Sequence, residues 1–244
     1  MDIRSRRILA IETSGRMGSV ALGADKKIVG SSELSGTMQH AAELMPTVDR
    51  LLKKQGWPAN SITDVFVSIG PGSFTGLRIG VTVARTLAWS IGARIVAVPT
   101  VDALARNALE ANPLPEHVAV ILDAKRRQIY AAAFDIKPGR LIKTIDAHLS
   151  DPADFFARCP QPLALLGEGI DYHGQAIDTA GVTVLDKNFW PGRAENVFHV
   201  GLELADQEKF TPGPQLMPLY IRRPEAEEKW EKLHGIKPNN QSPK

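Results

Sequence analysis

Residues 65–100 read VFVSIGPGSFTGLRIGVTVARTLAWSIGARIVAVPT. The stretch parses as strand, glycine-rich loop, helix, strand. Residues 65–69 are a short apolar run with two valines and an isoleucine, which suits a buried strand. Gly70, Pro71, Gly72, Ser73, Phe74, Thr75 and Gly76 follow, and three glycines in seven residues mark positive φ or close backbone approach. Helical spacing then runs over 77–91, with Gly92 placed to end it, and 94–98 is a second apolar strand closed by Pro99. That order predicts a βαβ unit with a right-handed crossover. The loop can work in two ways. Free N–H groups at the helix start can hold an anion, or Ser73 or Thr75 can cap the helix instead. It is not a Walker A loop, because no Gly-Lys-Ser/Thr ends it.

Working outward toward the N-terminus, 7–13, 19–22 and 27–34 read as three strands of an antiparallel meander. Residues 38–56 predict an amphipathic helix. Ala41, Leu44, Met45, Val48, Leu51 and Leu52 form its apolar stripe, with His40, Glu43, Thr47, Arg50 and Lys54 opposite. Pro46 falls inside it, at a cost of about 3 kcal/mol or a kink. Toward the C-terminus, 100–109 is a helix with Thr100 as cap, and Asn112, Pro113 and Pro115 mark a lobe boundary.

Past that boundary the opening pattern returns. The run 118–122 is apolar, Asp123 is acidic, 124–127 turn, and 128–134 is a strand, as 8–11, Glu12, 14–18 and 19–22 are in the first half. A strand over 140–149 follows, then a short helix over 151–158 capped by Asp151 with Pro152 in its first turn. Strands over 163–166 and 182–185 flank a helix at 171–179, and 194–209 is an amphipathic helix. The expected architecture is therefore α/β and duplicated. It has lobes at 1–111 and 112–222, each a mixed sheet flanked by helices, and a charged helix with a disordered tail at 223–244.

The chain has 244 residues, 43% of them hydrophobic, enough to bury a core and to exclude a disordered protein. A net charge of +2 does not predict an autonomous nucleic-acid binder, although Arg4, Arg6 and Arg7 form one small basic cluster and Lys125, Arg126 and Arg127 another. One cysteine, Cys159, rules out a disulfide within the chain and fits a cytoplasmic setting. No apolar run reaches the ~20 residues of a membrane helix. The six histidines include no i,i+3 or i,i+4 pair, and no serine or cysteine stands in a nucleophile motif.

The segment 68–80, SIGPGSFTGLRIG, resembles the signature of the TsaB family, formerly YeaZ, and nearly the whole chain can be laid along the family pattern. These proteins are bacterial subunits of the machinery that makes threonylcarbamoyladenosine in tRNAs reading codons that start with A. They belong to the actin-like sugar kinase superfamily, so the resemblance implies a duplicated actin-like, ribonuclease H-like fold. In working members an acidic residue ends the first strand of each lobe and serves Mg²⁺ or water. Glu12 and Asp123 occupy those positions here, with Ser14 beside the first, and they are vestigial candidates only. Lys125, Arg126 and Arg127 are bulky where backbone must approach a phosphate, and 166–169 (LGEG) is a weak counterpart of the adenosine-site glycines. The catalytic relative TsaD carries two metal-binding histidines at i and i+4 after the same βαβ unit. The matching residues here are Thr100 and Leu104, which cannot hold a metal in that way.

The resemblance thus implies a non-catalytic scaffold that binds and activates a TsaD-like catalytic subunit, with a TsaE-like ATPase in the complex and a homodimer when alone. Contact with tRNA would be indirect, and a nucleotide would bind only at the partner interface. The expected interface lies on the first-lobe helices: Leu44, Val48 and Leu51 from one, and Arg78, Thr82, Arg85 and Trp89 from the other. The alternative is a small-molecule kinase of the same superfamily. A peptidase finds no residues to support it.

Overall fold

The computed structural model describes residues 5–35, 40–138, 140–177 and 181–220, together with 230, 233 and 234. The first sheet is built around β1 (Arg7–Glu12). On one side lie β2 (Ser19–Ala24) and β3 (Lys27–Glu33), each antiparallel to its neighbour. On the other lie β4 (Asp64–Gly70) and β5 (Arg94–Pro99), both parallel, giving the order β3-β2-β1-β4-β5. Helix α1 (His40–Lys54) connects the meander to β4, and α2 (Phe74–Ile91) connects β4 to β5. The predicted βαβ unit is therefore present, but its helix begins three residues earlier than the spacing suggested, inside the glycine loop.

Strand β1 shows why both faces of this sheet are apolar. Leu9 and Ile11 face a core shared with α1 and α2, whereas Ile8 and Ala10 face the opposite side. Successive side chains of a strand alternate between faces, so a sheet covered on both sides needs an unbroken apolar run. Ile8, Leu9 and Ile11 each contribute about 1.5–3 kcal/mol when fully buried.

The second sheet repeats the first. A short helix, α3 (Thr100–Ala105), leads across to it. Strands β6 (His117–Asp123), β7 (Ile129–Lys137) and β8 (Arg140–Ser150) form the meander. Helix α4 (Pro152–Phe156), capped by Asp151 as predicted, leads to β9 (Leu163–Leu166). Helix α5 (Ile170–Ile177) leads on to β10 (Val182–Val184). The order β10-β9-β6-β7-β8 is that of the first sheet, strand for strand, with the same parallel and antiparallel pairings. The α/β fold is thus duplicated, as the recurring sequence pattern predicted.

The helices do not respect the lobe boundary drawn at residue 112. Helix α6 (Ala194–Asp206) turns back, and its Val197, Phe198 and Leu202 complete the core under Ile8, Ala10 and Phe66 of the first sheet. In exchange, Val101, Leu104 and Ala105 of α3 join the core of the second sheet. Beyond α6 the chain runs back along the first lobe, where Thr211 N–H donates to Ile95 O (2.8 Å) and Leu219 N–H to Ile69 O (2.7 Å).

Three local expectations change. Leu44, Val48 and Leu51 are 1–5% exposed and form the lobe's own core, so they cannot be surface anchors. His40 and Thr47, placed on the polar side by spacing, are buried, while Met45 is 44% exposed; the buried arc is rotated from the one drawn around Met45. Thr100 is not the cap of its helix. It is the first helical residue, and its hydroxyl accepts a hydrogen bond from Gly70 N–H (3.1 Å). The start of the predicted 38–56 helix, the end of the 171–179 helix and most of the region 223–244 lie outside the described residues.

Candidate functional site

The signature loop joins the end of β4 to α2. Ser73 caps α2, its hydroxyl accepting from Gly76 N–H (3.2 Å), and its own N–H donates to Ser14 O (2.7 Å). The structure shows the cap that the sequence offered as one of the loop's two uses. The glycines are explained by approach to the turn after β1. A methyl group on Gly72 would stand 2.4 Å from Ser14 O, and one on Gly76 would stand 2.0 Å from Thr13 O. Thr13 answers by donating its hydroxyl to Gly76 O (2.8 Å). The signature therefore welds α2 to the end of the first strand. Pro71 is buried; Gly72, Ser73, Phe74 and Thr75 are exposed.

Glu12 and Asp123 end β1 and β6 at matching places in the two sheets. Their surroundings differ. Glu12 is fully buried; its Oε1 accepts from Ser14 N–H (2.5 Å), and Oε2 has no partner among the described residues. Burial pushes its carboxyl above the usual carboxylate range, Ser14 and Ser68 pull it partly back, and the Glu168 charge adds to the rise. Asp123 is ion-paired with Lys125 (2.7 Å) and lies 3.2 Å from His173 Nε2. Burial raises the Asp123 carboxyl, but its bonds to Lys125 and His173 together outweigh that and hold it below the usual range.

These residues do not fit a magnesium–nucleotide cradle. Glu12 is covered by the loop before α6, and Asp123 already carries its own cation. Gly167 and Gly169, from the stretch compared with the adenosine-site glycines, spend their freedom on close packing against β6. Methyl groups there would stand 2.2 Å from Ile121 O and 2.9 Å from Leu122 C. The fold family's implied metal and nucleotide therefore enter no step below. Thr100 and Leu104 are 1% and 3% exposed and sit inside the protein. Among the described residues no group of three or more His, Cys, Asp and Glu is arranged to hold a metal ion. Cys159 is 8% exposed, and burial pushes its thiol up to about 11, far from a reactive thiolate.

The second candidate surface is the outer face of α2. Arg78, Thr82, Arg85 and Trp89 follow one another at helical spacing and all are exposed, Trp89 by 88%. Arg78 is held by its own chain: Nε donates to the Tyr220 hydroxyl (3.0 Å), and the guanidinium lies 3.9 Å from the Phe74 ring centroid. Arg85 and Trp89 line, with Ala93 and Pro214, a surface groove of about 460 Å³. The exposed part of α1 adds Ala41, Ala42 and Met45. Sequence reasoning found the α2 stripe but missed the groove, because Pro214 reaches it from over a hundred residues downstream.

Comparison with known proteins shows the family. The family model "TsaD: tRNA N6-adenosine threonylcarbamoyltransferase" matches residues 27–183. The chain is 31% identical to the tRNA threonylcarbamoyladenosine biosynthesis protein TsaB of Bacillus subtilis over 230 residues, covering 91% of this chain and 97% of the relative. It is 26% identical to TsaB of Escherichia coli, covering 94% and 99%. Among solved structures, YeaZ from Pseudomonas aeruginosa superposes with a TM-score of 0.76 at 24% identity, covering 88% of this chain and 99% of that one, a likeness of fold. Among the described residues, no helix is long and apolar enough to cross a membrane.

Proposed function

The chain belongs to the TsaB family, within the wider group that the TsaD family model describes, and we propose that it serves tRNA threonylcarbamoyladenosine biosynthesis as a non-catalytic scaffold. Its partner is a TsaD-like catalytic subunit, which it binds and activates in the cytoplasm. The observation that supports this most directly is Trp89, 88% exposed on a helix face where Thr82 and Arg85 are exposed beside it. Tryptophan and arginine are the residues most often found anchoring protein interfaces, and an isolated soluble chain gains nothing by presenting so large an apolar surface to water. The acidic strand ends point the same way, since one is sealed and the other is neutralised.

The interface consists of the α2 stripe and the exposed part of α1. Leu44, Val48 and Leu51 support it from behind by fixing how α1 packs. A TsaE-like ATPase joins the same complex, and a second copy of the chain takes the same surface when the partner is absent. Any nucleotide binds at the partner interface and not in the cleft of this chain.

Co-purification of the full chain with the cognate TsaD-like subunit tests the role, with Trp89→Ala and Arg85→Glu as variants. The expected result is a stable complex that either variant weakens at least about tenfold, equivalent to about 1.4 kcal/mol. A reconstituted modification assay that runs at full rate without this chain would overturn it. Calorimetry with Mg-ATP addresses the kinase alternative: tight binding that Asp123→Ala abolishes would favour a catalyst over a scaffold.

A further inference from the structure

Charge around the ends of β1 and β6 is sorted by depth. The carboxylates of the strand ends lie inside: Glu12 is fully buried, and the Asp123 side chain is 12% exposed; Glu168, partly buried, accepts from Arg16 N–H (3.3 Å), and the exposed Asp171 is paired with Lys187 (2.8 Å). The cations lie outside, one of them, Lys125, bridging inward to Asp123 (2.7 Å). Arg16 comes from the turn after β1, and Lys125, Arg126 and Arg127 come from the turn after β6; all four are exposed. Tyr172 of α5, 52% exposed, stands among them. Arg16 donates to its hydroxyl, and the Arg16 guanidinium lies 5.7 Å from the ring centroid. The Lys125 ammonium lies 4.8 Å from the same centroid. One exposed ring thus gathers a cation from each lobe.

The turn that carries the other two is strained. Lys125, Arg126 and Arg127 have φ of 62°, 51° and 63°, three consecutive left-handed residues without a glycine among them. Such a conformation costs roughly 1–2 kcal/mol per residue. Glycine or asparagine would make the same turn more cheaply.

We propose that this rim binds the sugar–phosphate backbone of RNA, so that the chain itself contacts the tRNA its family serves, in place of the indirect contact that the resemblance implied. The choice of tRNA rests on the family role given above, not on the scaffold role. An extended polyanion suits the rim better than a free nucleotide does. A nucleoside triphosphate would have to pass the exposed cations to reach strand ends that are sealed at Glu12 and already paired at Asp123, whereas a backbone lying across the surface meets the cations first. Tyr172 fixes the spacing of Arg16 and Lys125, as a positioning residue. With only a few phosphate contacts, the affinity of the chain alone falls in the range of about 10⁻⁴–10⁻⁶ M typical of sequence-independent binding.

The test measures binding of the full chain to an in vitro transcribed tRNA by fluorescence anisotropy between about 50 and 200 mM salt. The triple variant K125E/R126E/R127E should bind at least about tenfold more weakly at low salt, with a salt slope smaller by about 2. Tyr172→Ala should weaken binding about threefold or more, by releasing Arg16 and Lys125. Circular dichroism and Tm confirm that the variants are folded. Equal binding by wild type and triple variant overturns the proposal, as does the absence of binding by the wild type. Displacement of the RNA by Mg-ATP at lower concentration than by unlabelled tRNA would assign the rim to a nucleotide and also overturn it. Co-purification with the TsaD-like subunit is a separate readout. A triple variant that keeps the subunit but loses RNA supports the rim, and one that loses both while folded makes the rim a partner surface and ends the proposal. Failure of the wild type to bind the subunit would end the scaffold role and leave the RNA measurement standing.

Discussion

Gly192 lies against the carboxyl of Glu12: a methyl group at position 192 would stand 2.8 Å from Glu12 Cδ. The loop before α6, from the far end of the chain, thereby closes the place where the first strand presents its acid. A group that would face solvent in an open cleft is fully buried instead. Gly192→Ala should cost about 1–3 kcal/mol through overpacking. The penalty should shrink in a Glu12→Ala background, where the obstructing atoms are gone, and a double-mutant cycle by chemical denaturation checks the coupling.

The same carboxyl predicts a pH dependence. Burial raises the folded-state pKa of Glu12 above its ordinary value of 4.5. The folded protein then holds a proton that the unfolded chain has released, so this group favours folding below pH 4.5 and that contribution is lost as pH rises toward the folded pKa. Glu12→Gln keeps the shape and removes the ionisation. Its Tm should exceed that of the wild type at pH 8, and the difference should close as pH approaches 4. A variant less stable than wild type at pH 8 would show that the ionised form is tolerated.

The signature loop should behave as a structural weld. Gly76→Ala places a methyl group 2.0 Å from Thr13 O, a backbone atom that cannot step aside. The expected loss is about 1–3 kcal/mol, or roughly 2–4 °C in Tm per kcal/mol for a chain of this size. Ser73→Ala removes the cap of α2 at a cost of about 1 kcal/mol. Neither substitution alters a phosphate affinity if the loop holds no anion, which titration with pyrophosphate would show.

Trp89 and Leu44 should separate binding from stability. Trp89→Ala removes a side chain that is 88% exposed, so Tm should move by no more than about 1 °C while affinity for the partner falls. Leu44→Ala empties a site that is 1% exposed and should cost about 2–5 kcal/mol. The reverse pattern would move the interface from α2 to α1.

Asp64 and Arg94 give an asymmetric pair. Asp64 is fully buried and accepts from Arg94 Nε (2.8 Å), Arg94 Nη2 (2.7 Å) and the Thr63 hydroxyl (2.7 Å), while Arg94 is half exposed. Arg94→Ala leaves a buried carboxylate without its cation and should cost about 3–5 kcal/mol. Asp64→Asn leaves a cation that water can reach and should cost about 1–2 kcal/mol. Urea denaturation of the two variants distinguishes them.

The sequence was most legible where its signals are local. The βαβ unit, the two meanders and the Asp151 cap follow from apolar runs, glycine punctuation and a capping carboxylate, each decided within a few residues. The duplication was legible too, because a strand ending in an acid and followed by a turn recurs at Glu12 and Asp123, and the two sheet orders match. The α2 stripe is exposed as its spacing implied. On α1 the spacing misled. His40 and Thr47 were drawn outward and are buried, while Ala41 and Met45 were drawn inward and are exposed, because the arc of the helix that packs is rotated from the one its apolar residues mark.

What the chain alone determined is which segments form strands and helices, and that the pattern occurs twice. Only the tertiary structure decided that α3 and α6 cross between the lobes, that Gly192 seals Glu12, and that Tyr172 draws Arg16 and Lys125 to one ring. The physical reason is range. Periodicity and turn chemistry act over a few residues, whereas burial of a carboxyl and convergence of cations join positions 47 to 180 residues apart in the chain, and no local pattern reports on which distant segment will arrive.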